Sequence, residues 1–253
     1  MHDNKIPGKE PFTEKIKPYK KDFDYSYTLG AFPTFELVKT RPEIVRGVYV
    51  HSSFPDRGYL EVLCTHHHIP VSVDDKLLAR ISPKENCYAA AVFGKYTDTI
   101  QDDKNHVVLV HPSDMGNLGT IVRTLVGFGV YDLAIISPCA DIFHPKVVRS
   151  SMGALFKMRF QVFPSFDEYR KLHARHDVFP FMLSGKVALG ISDCPKSGRY
   201  ALVFGNEATG LDPSFEKYGT GIFIPQTADV DSLNLTIAVG IGVYTFTAMA
   251  QRQ

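Results

Sequence analysis

Val107-Val-Leu-Val110, His111-Pro-Ser-Asp-Met-Gly-Asn117 and Leu118-Gly-Thr-Ile-Val-Arg-Thr-Leu-Val-Gly-Phe128 follow one another without a break. The first is a short apolar run, the pattern of a strand buried on both faces. The second is a polar, glycine-containing turn. The third reads as a helix from about 118 to 128, with Ile121, Val122, Leu125 and Val126 as its apolar stripe. Strand, loop and helix in that order build a parallel sheet. Further apolar runs stand at 133–136, 201–204 and 222–224, with helical patterns between most of them. The fold class is α/β, a parallel sheet covered on both faces. No G-x-G-x-x-G follows the first strand, since Gly127-Phe-Gly129 closes a helix instead, and the phosphate-loop signature is absent. The common nucleotide folds are therefore not indicated.

Upstream, the pattern predicts helices at 32–39, 59–67 and 74–81 and strands at 45–51, 70–73 and 87–93, a small αβ layer. Residues 1–22 are polar and lysine-rich with Pro7, Gly8, Pro11 and Pro18, and read as a flexible tail. Lys95 to Asn105 are polar and without periodicity, the best linker. The expected division is a tail at 1–22, a first domain at 23–101 and a second at 102–253.

Apolar residues make up 44% and charged residues 22% of the 253, which excludes wholesale disorder. The net charge of +1 does not by itself indicate nucleic-acid binding, although Lys15, Lys17, Lys20 and Lys21 are locally basic. No apolar run is long enough to span a bilayer, and the first residues lack the apolar core of a signal peptide. Cys64, Cys87, Cys139 and Cys194 show no C-x-x-C spacing and read as reduced thiols of a cytoplasmic protein. His66, His67 and His68 adjoin Cys64, but neighbours on a helix point different ways and no second ligand cluster has zinc-like spacing, so no metal is expected. Tyr25, Tyr27, Phe32 and Phe35 could stack on bases, with core packing the safer assumption. His144 and Arg149 to Ser151 could meet phosphate.

Three segments carry the chemistry. In Asn117-Leu-Gly-Thr-Ile-Val-Arg123, Gly119, Arg123 and Gly127 share a helix face, which leaves a large group room to approach the guanidinium; an ordinary surface salt bridge is the competing reading. In Leu202-Val-Phe-Gly-Asn-Glu-Ala-Thr-Gly-Leu211, a strand ends at a glycine that lets a ligand near the backbone, and Glu207 reads as the anchor of its own loop. Ile224-Pro225 stops a strand. Asp231 or Ser232 then caps a helix over 233–249 that is apolar on nearly every side, with Ala238, Gly240 and Gly242 for close packing, and is expected to be buried partly against another subunit.

In this order, the three segments resemble the signature motifs of the SpoU/TrmH family of RNA ribose methyltransferases. The resemblance implies a SPOUT fold with a C-terminal trefoil knot, an element that nothing in the sequence physics suggests. It implies S-adenosylmethionine as cofactor, structured RNA as substrate, a homodimer with sites near the subunit interface, and a ribosomal-protein-like substrate domain ahead of the catalytic one. That extra domain tilts the reading toward ribosomal over transfer RNA. By the same resemblance Arg123 is catalytic, Asn117 orders the site, and Glu207, Ser232 and Asn234 join them. Backbone groups at Gly205, Ile224 and Leu233, with Phe204, Asn206 and Pro225 beside them, would hold the cofactor. A guanidinium stays protonated, so Arg123 suits a clamp on phosphate or the 2′-oxygen better than a general base. Ala208 replaces the usual glycine, and Gln226 to Val230 departs from the usual methionine- and glycine-containing form. The competing functions are a non-catalytic RNA-binding protein that keeps the fold, and a base-directed RNA methyltransferase.

Overall fold

The computed structural model describes residues 16–82, 87–190 and 198–250. Lys15 and Cys194 lie outside the described residues. The chain divides into two compact units, 1–96 with 141–156, and 97–140 with 157–253.

The first unit is a four-stranded sheet in the order β1 (Tyr25–Leu29), β4 (Ala89–Gly94), β2 (Val45–Val50), β3 (Val71–Val73). The β1–β4 and β4–β2 pairs are antiparallel, and β2–β3 is parallel. Helices α1 (Ala31–Thr40), α2 (Arg57–His66) and α3 (Asp75–Ile81) connect them. The Asp74 carboxylate caps α3 by accepting from Leu77 N at 2.8 Å. β1 lies outside the predicted set because its two polar residues, Ser26 and Thr28, are as buried as its apolar ones. The Thr28 hydroxyl lies 2.7 Å from that of Thr34 and accepts from Ala91 N, while the Ser26 hydroxyl donates to Phe143 O. Tyr25 and Tyr27 are core residues, whereas Phe32 is 53% exposed. Of the expected tail, 1–15 lie outside the described residues. Within 16–22, Ile16 is buried, Tyr27 donates to Lys17 O and Tyr19 to the Asp141 carboxylate, while Lys17, Pro18, Lys20, Lys21 and Asp22 are exposed.

Asp141–Phe156 belongs to this first unit although it interrupts the second in sequence. It contains α5 (Pro145–Ser150), which packs on β1 and carries Arg149, while His144 caps it by accepting from Lys146 N. The boundary expected at residue 101 thus misses a segment whose apolar residues Val147, Val148, Leu155 and Phe156 are all buried.

The second unit is a five-stranded, wholly parallel sheet in the order β7 (Arg159–Phe163), β6 (Asp132–Ile136), β5 (His106–Val110), β10 (Tyr200–Phe204), β8 (Asp177–Pro180). Alternate residues Val108, Val110, Ala134, Ile136, Ala201 and Val203 pack with Phe166 and Tyr169 of α6 (Phe166–Leu172). Helix α4 (Met115–Gly127) packs against α7 (Leu235–Ala250), and α7 against β10. The 97–105 stretch is no free linker: Ile100 is buried in this core and Gln101 N donates to Asp132. The apolar run at 222–224 also departs from expectation. It forms β11 (Ile222–Phe223), paired in parallel with β9 (Val187–Ala188) in a separate two-stranded sheet. Among the described residues no helix is long and apolar enough to cross a membrane.

Candidate active site

In the strand order above, β5 connects toward β6 on one side while β10 lies on its other side. A crevice opens outside the C-terminal ends of strands at such a reversal. The loops after β5 and β10 meet there. Asp114 caps α4 by accepting from Asn117 N at 2.7 Å, so the helix begins one turn before residue 118. Glu207 then ties the two loops together. One carboxylate oxygen accepts from Ser113 N at 3.1 Å and Ser113 Oγ at 3.0 Å, the other from Asp114 N at 3.2 Å and Asn117 Nδ2 at 3.3 Å. Glu207 is an anchor, as expected, but of the β5 loop some ninety residues away as well as its own. Partial burial pushes its pKa up. The donors around it (Ser113 N, its own N–H, Asp114 N and the Asn117 amide) outweigh that and hold the carboxyl below its usual value.

The loop at 205–211 is equally constrained. Asn206 Nδ2 donates to His111 O at 2.7 Å, and Asn206 and Gly210 exchange backbone hydrogen bonds of 3.2 and 2.9 Å. A Cβ on Gly205 would sit 2.1 Å from Gly210 C and 2.3 Å from Leu211 N. Glycine is needed at 205 because the loop folds back onto its own backbone, a tighter requirement than the ligand approach inferred from sequence. Gly210 has φ +65°, the left-handed region.

A cavity of about 460 Å³ opens beside this loop, within the range of small-ligand sites. Its walls are the loop after β8 (181–184), residues 204–211, Ile222, Ile224 and Gln226, and the approach to α7 from Asp231 to Ala238. Phe181 and Phe204 stack at 4.3 Å and line it, and Gly242 of α7 packs on that pair so closely that a Cβ would lie 2.7 Å from the Phe181 ring. Of the residues singled out from sequence, Phe204, Gly205, Asn206, Glu207, Ile224, Ser232 and Leu233 line the cavity. Pro225, Asn117, Arg123 and Asn234 do not. Asn117 supports it through Glu207. Asn234, rather than Asp231 or Ser232, caps α7: its Oδ1 accepts from Thr236 N at 2.8 Å and its carbonyl from Ile237 and Ala238 N. Arg123 is exposed on α4, with no hydrogen-bond or ion-pair partner among the described residues. Sequence reasoning missed Phe181 to Ser184 because it missed β8, the strand that delivers them.

Three further readings are answered within their own units. The His66–His68 run is exposed or half-buried at the end of α2 and joins no metal-competent cluster among the described residues. Phe35 is half-buried and, with Tyr59, lies under Lys39. α7 is not buried all round, since Ile237 and Tyr244 are each 53% exposed and Ile241 lies between them on the same face. The Tyr244 ring meets that of Phe128 at 5.7 Å.

The model of the SpoU rRNA Methylase family matches residues 104–244. The 23S rRNA (guanosine(2553)-2'-O)-methyltransferase RlmP of Bacillus subtilis is 30% identical over 134 residues, covering 52% of this chain and 53% of that protein. The 23S rRNA (adenosine(1067)-2'-O)-methyltransferase of Streptomyces azureus is 24% identical over 253 residues, covering 94% and 91%. The crystal structure of the SpoU methyltransferase AviRb from Streptomyces viridochromogenes with AdoMet superposes with a TM-score of 0.76 at 22% identity, covering 90% and 91%. The chain spans about half the length of the curated relatives it matches at 30% identity or more, 51% and 53%. The matched residues contain all three segments that form and brace the cleft, and they make up more than half of the sequence: the chain belongs to the SpoU rRNA Methylase family.

Proposed function

We propose that this chain transfers a methyl group from S-adenosylmethionine to a ribose 2′-hydroxyl of structured RNA, with ribosomal RNA favoured over transfer RNA. The observation that carries the reading is one cavity walled by the loops after β8 and β10 and by the approach to α7, with the β10 loop braced on the β5 loop through Glu207. The activities that the B. subtilis and S. azureus relatives are named for agree with it. The cavity suits the cofactor: a stacked aromatic floor for an apolar, planar part, and a polar rim of Gln226, Asp231 and Ser232 for a charged one. The cofactor would supply an electrophilic methyl group on sulfur. The protein's part is alignment for in-line displacement and support for charge growing on the 2′-oxygen.

In this reading Gly205, Ile224 and Leu233, with Phe204, Asn206 and Pro225, hold the cofactor. Ser232 and Asn234 order the approach to α7, Asn117 and Glu207 hold the loops, and Arg123 clamps the target nucleotide. Since Arg123 is exposed and lines no wall of its own chain's cavity, it fits a site near the interface of a homodimer. The stripe Ile237, Ile241, Tyr244 with Phe128 is the surface we assign to that interface. The trefoil knot over the C-terminal part, the first unit (1–96 with 141–156) as the RNA-reading domain and a cytoplasmic setting complete the proposal. Among the described residues Cys64 and Cys87 are free thiols, which suits a reducing compartment. The test is to methylate total RNA with labelled cofactor and map nuclease-resistant 2′-O-methyl sites. Label on a base would support the base-directed alternative. A folded protein that binds no cofactor at millimolar concentration would refute the whole reading.

A further inference from the structure

At the other end of β5, some four residues or about 13 Å from the cleft, three imidazoles are packed together. His106, His173 and His176 are 0%, 5% and 2% exposed. Each has one ring nitrogen committed to an acceptor from a single short stretch of chain. His106 Nε2 lies 2.8 Å from Gln101 O, His173 Nδ1 3.1 Å from Asp102 Oδ1, and His176 Nε2 2.7 Å from Lys104 O. Carbonyls and carboxylates only accept, so those nitrogens carry the protons and the opposite ones carry lone pairs. Two of the three lone-pair nitrogens, His173 Nε2 and His176 Nδ1, are buried with no hydrogen-bond partner. The third, His106 Nδ1, accepts from the Tyr169 hydroxyl at 2.9 Å. A core histidine kept only for packing normally satisfies both nitrogens, because an unmet buried acceptor is costly.

We propose that His106, His173 and His176 form a structural site for one zinc-type divalent cation, distinct from the methyl-transfer cleft. An N–H fixed on a carbonyl or carboxylate with the other nitrogen left free is the arrangement that orients metal-binding histidines. Here it occurs at His173 and His176, while the His106 Nδ1 lone pair is held by the Tyr169 hydroxyl, which a metal would displace. Imidazole ligands suit zinc, nickel and copper rather than magnesium or calcium. One nitrogen from each ring lies within 4.8 Å of those of the other two. Tetrahedral zinc, with bonds of about 2.0–2.1 Å, needs ligands roughly 3.3–3.4 Å apart, so the widest pair must close by roughly 1.5 Å. His173 meets both other rings edge-on, at 88° and 89°, whereas His106 and His176 stack at 4.1 Å and must splay. That adjustment is confined to side-chain torsions, because the turn itself is pinned. Arg170 donates to His173 O and His176 O at 2.9 Å each and to Ala174 O at 3.1 Å. The charged groups beside the cluster are Asp102, half-exposed at its mouth, Asp132, and Arg199, 4.0 Å from the Asp102 carboxylate. A bound ion would cross-link the 101–104 stretch, the start of β5 and the α6–β8 turn.

The inference stands apart from methyl transfer, so either can fail alone. The full-length chain, stripped with chelator, is incubated with Zn²⁺, desalted and assayed for metal by mass spectrometry, with Co²⁺ absorption as a second readout. Expected are one retained zinc per chain, an intense tetrahedral Co²⁺ spectrum, and a melting temperature about 5 °C or more higher with zinc at a hundredfold excess over Kd. A variant with His66, His67 and His68 all changed to Ser removes the exposed competitor and should keep the zinc. His173→Phe, which preserves ring volume, should lose it, and Asp102→Asn should bind about 10- to 100-fold more weakly. The two wild-type readouts stand even if a variant does not fold. Failure of the stripped wild type to take up either ion would overturn the proposal and leave the orphaned nitrogens to a buried water. Loss of zinc in the His66–His68 variant alone would do the same.

Discussion

Gly205→Ala tests whether glycine there serves the loop or the ligand. The added methyl would lie 2.1 Å from Gly210 C, 2.3 Å from Gly210 O and 2.3 Å from Leu211 N, all of them backbone atoms. Ordinary carbon contacts lie at about 3.5–4.0 Å, so the 206–210 loop must retreat by roughly 1.4 Å. Such a shift breaks the paired Asn206–Gly210 hydrogen bonds. Those two bonds are worth about 1 kcal/mol each, and overpacking adds about 1–3 kcal/mol. The apoprotein should lose about 3–5 kcal/mol, and its melting temperature should fall by about 10 °C. Because the same loop walls the cavity, cofactor affinity measured by calorimetry should drop at least about tenfold. Gly210→Ala is the control: its φ of +65° carries strain of about 1–2 kcal/mol, but a Cβ there meets nothing within 4 Å. An apoprotein of wild-type stability that had lost only cofactor affinity would return the ligand-approach reading. Unchanged stability and unchanged affinity would refute the geometry itself.

Glu207→Gln keeps the shape but turns an amide N–H₂ toward donors such as Ser113 N or Asp114 N, and thermal unfolding should show a loss of about 1–3 kcal/mol. The Glu207 carboxyl has a folded pKa below its ordinary 4.5, so its stabilisation is complete above that value and fades as pH falls through the lower folded one; cofactor titrations should be flat down to about pH 5 and weaken below pH 4. Arg123→Lys should lose about a hundred- to a thousandfold in single-turnover rate, almost as much as Arg123→Ala, because lysine lacks the planar fork. Cofactor affinity should hold in both, since Arg123 does not line the cavity, and near-normal turnover by the lysine variant would show that charge alone suffices. A chain truncated to 102–253 removes β1 from beneath α5 and uncovers Val147, Val148, Leu155 and Phe156, so it should aggregate on light scattering, and a stable, cofactor-binding fragment would overturn the unit assignment.

In the parallel sheet, the strands legible in the sequence were those buried on both faces by apolar residues. Residues of β5, β6 and β10 lie at the centre of a sheet covered on both faces, and their apolar runs follow directly from that position. Edge strands gave no such pattern. β7 alternates, with Arg159 pairing the buried Asp132, and β8 begins at an exposed Asp177 and ends in proline. Helix α6 is only seven residues long and was not read from the sequence, although Ser165 caps it by accepting from Glu168 N at 3.2 Å, half of a capping box. No periodicity could assign 141–156 to the first unit, because that depends on contacts with a strand more than a hundred residues earlier.

The sequence singled out seven of the cavity-lining residues and the anchoring part of Glu207, but few of the other roles, for a physical reason. Binding a ligand through backbone groups requires loops that hold their shape without it, so the polar side chains of such loops are spent on one another. Glu207 meets Ser113, Asp114 and Asn117, Asn206 meets His111, and Asn234 meets the first turn of α7. Each looks catalytic in a sequence because it is polar, local to a glycine and near a strand end. Arg123 is the exception, a cation on the same motif with no intramolecular task among the described residues. A guanidinium on this motif with no intramolecular partner among the described residues suits an external anion. The RNA backbone supplies one at every nucleotide, so phosphate is the ligand to try first on Arg123.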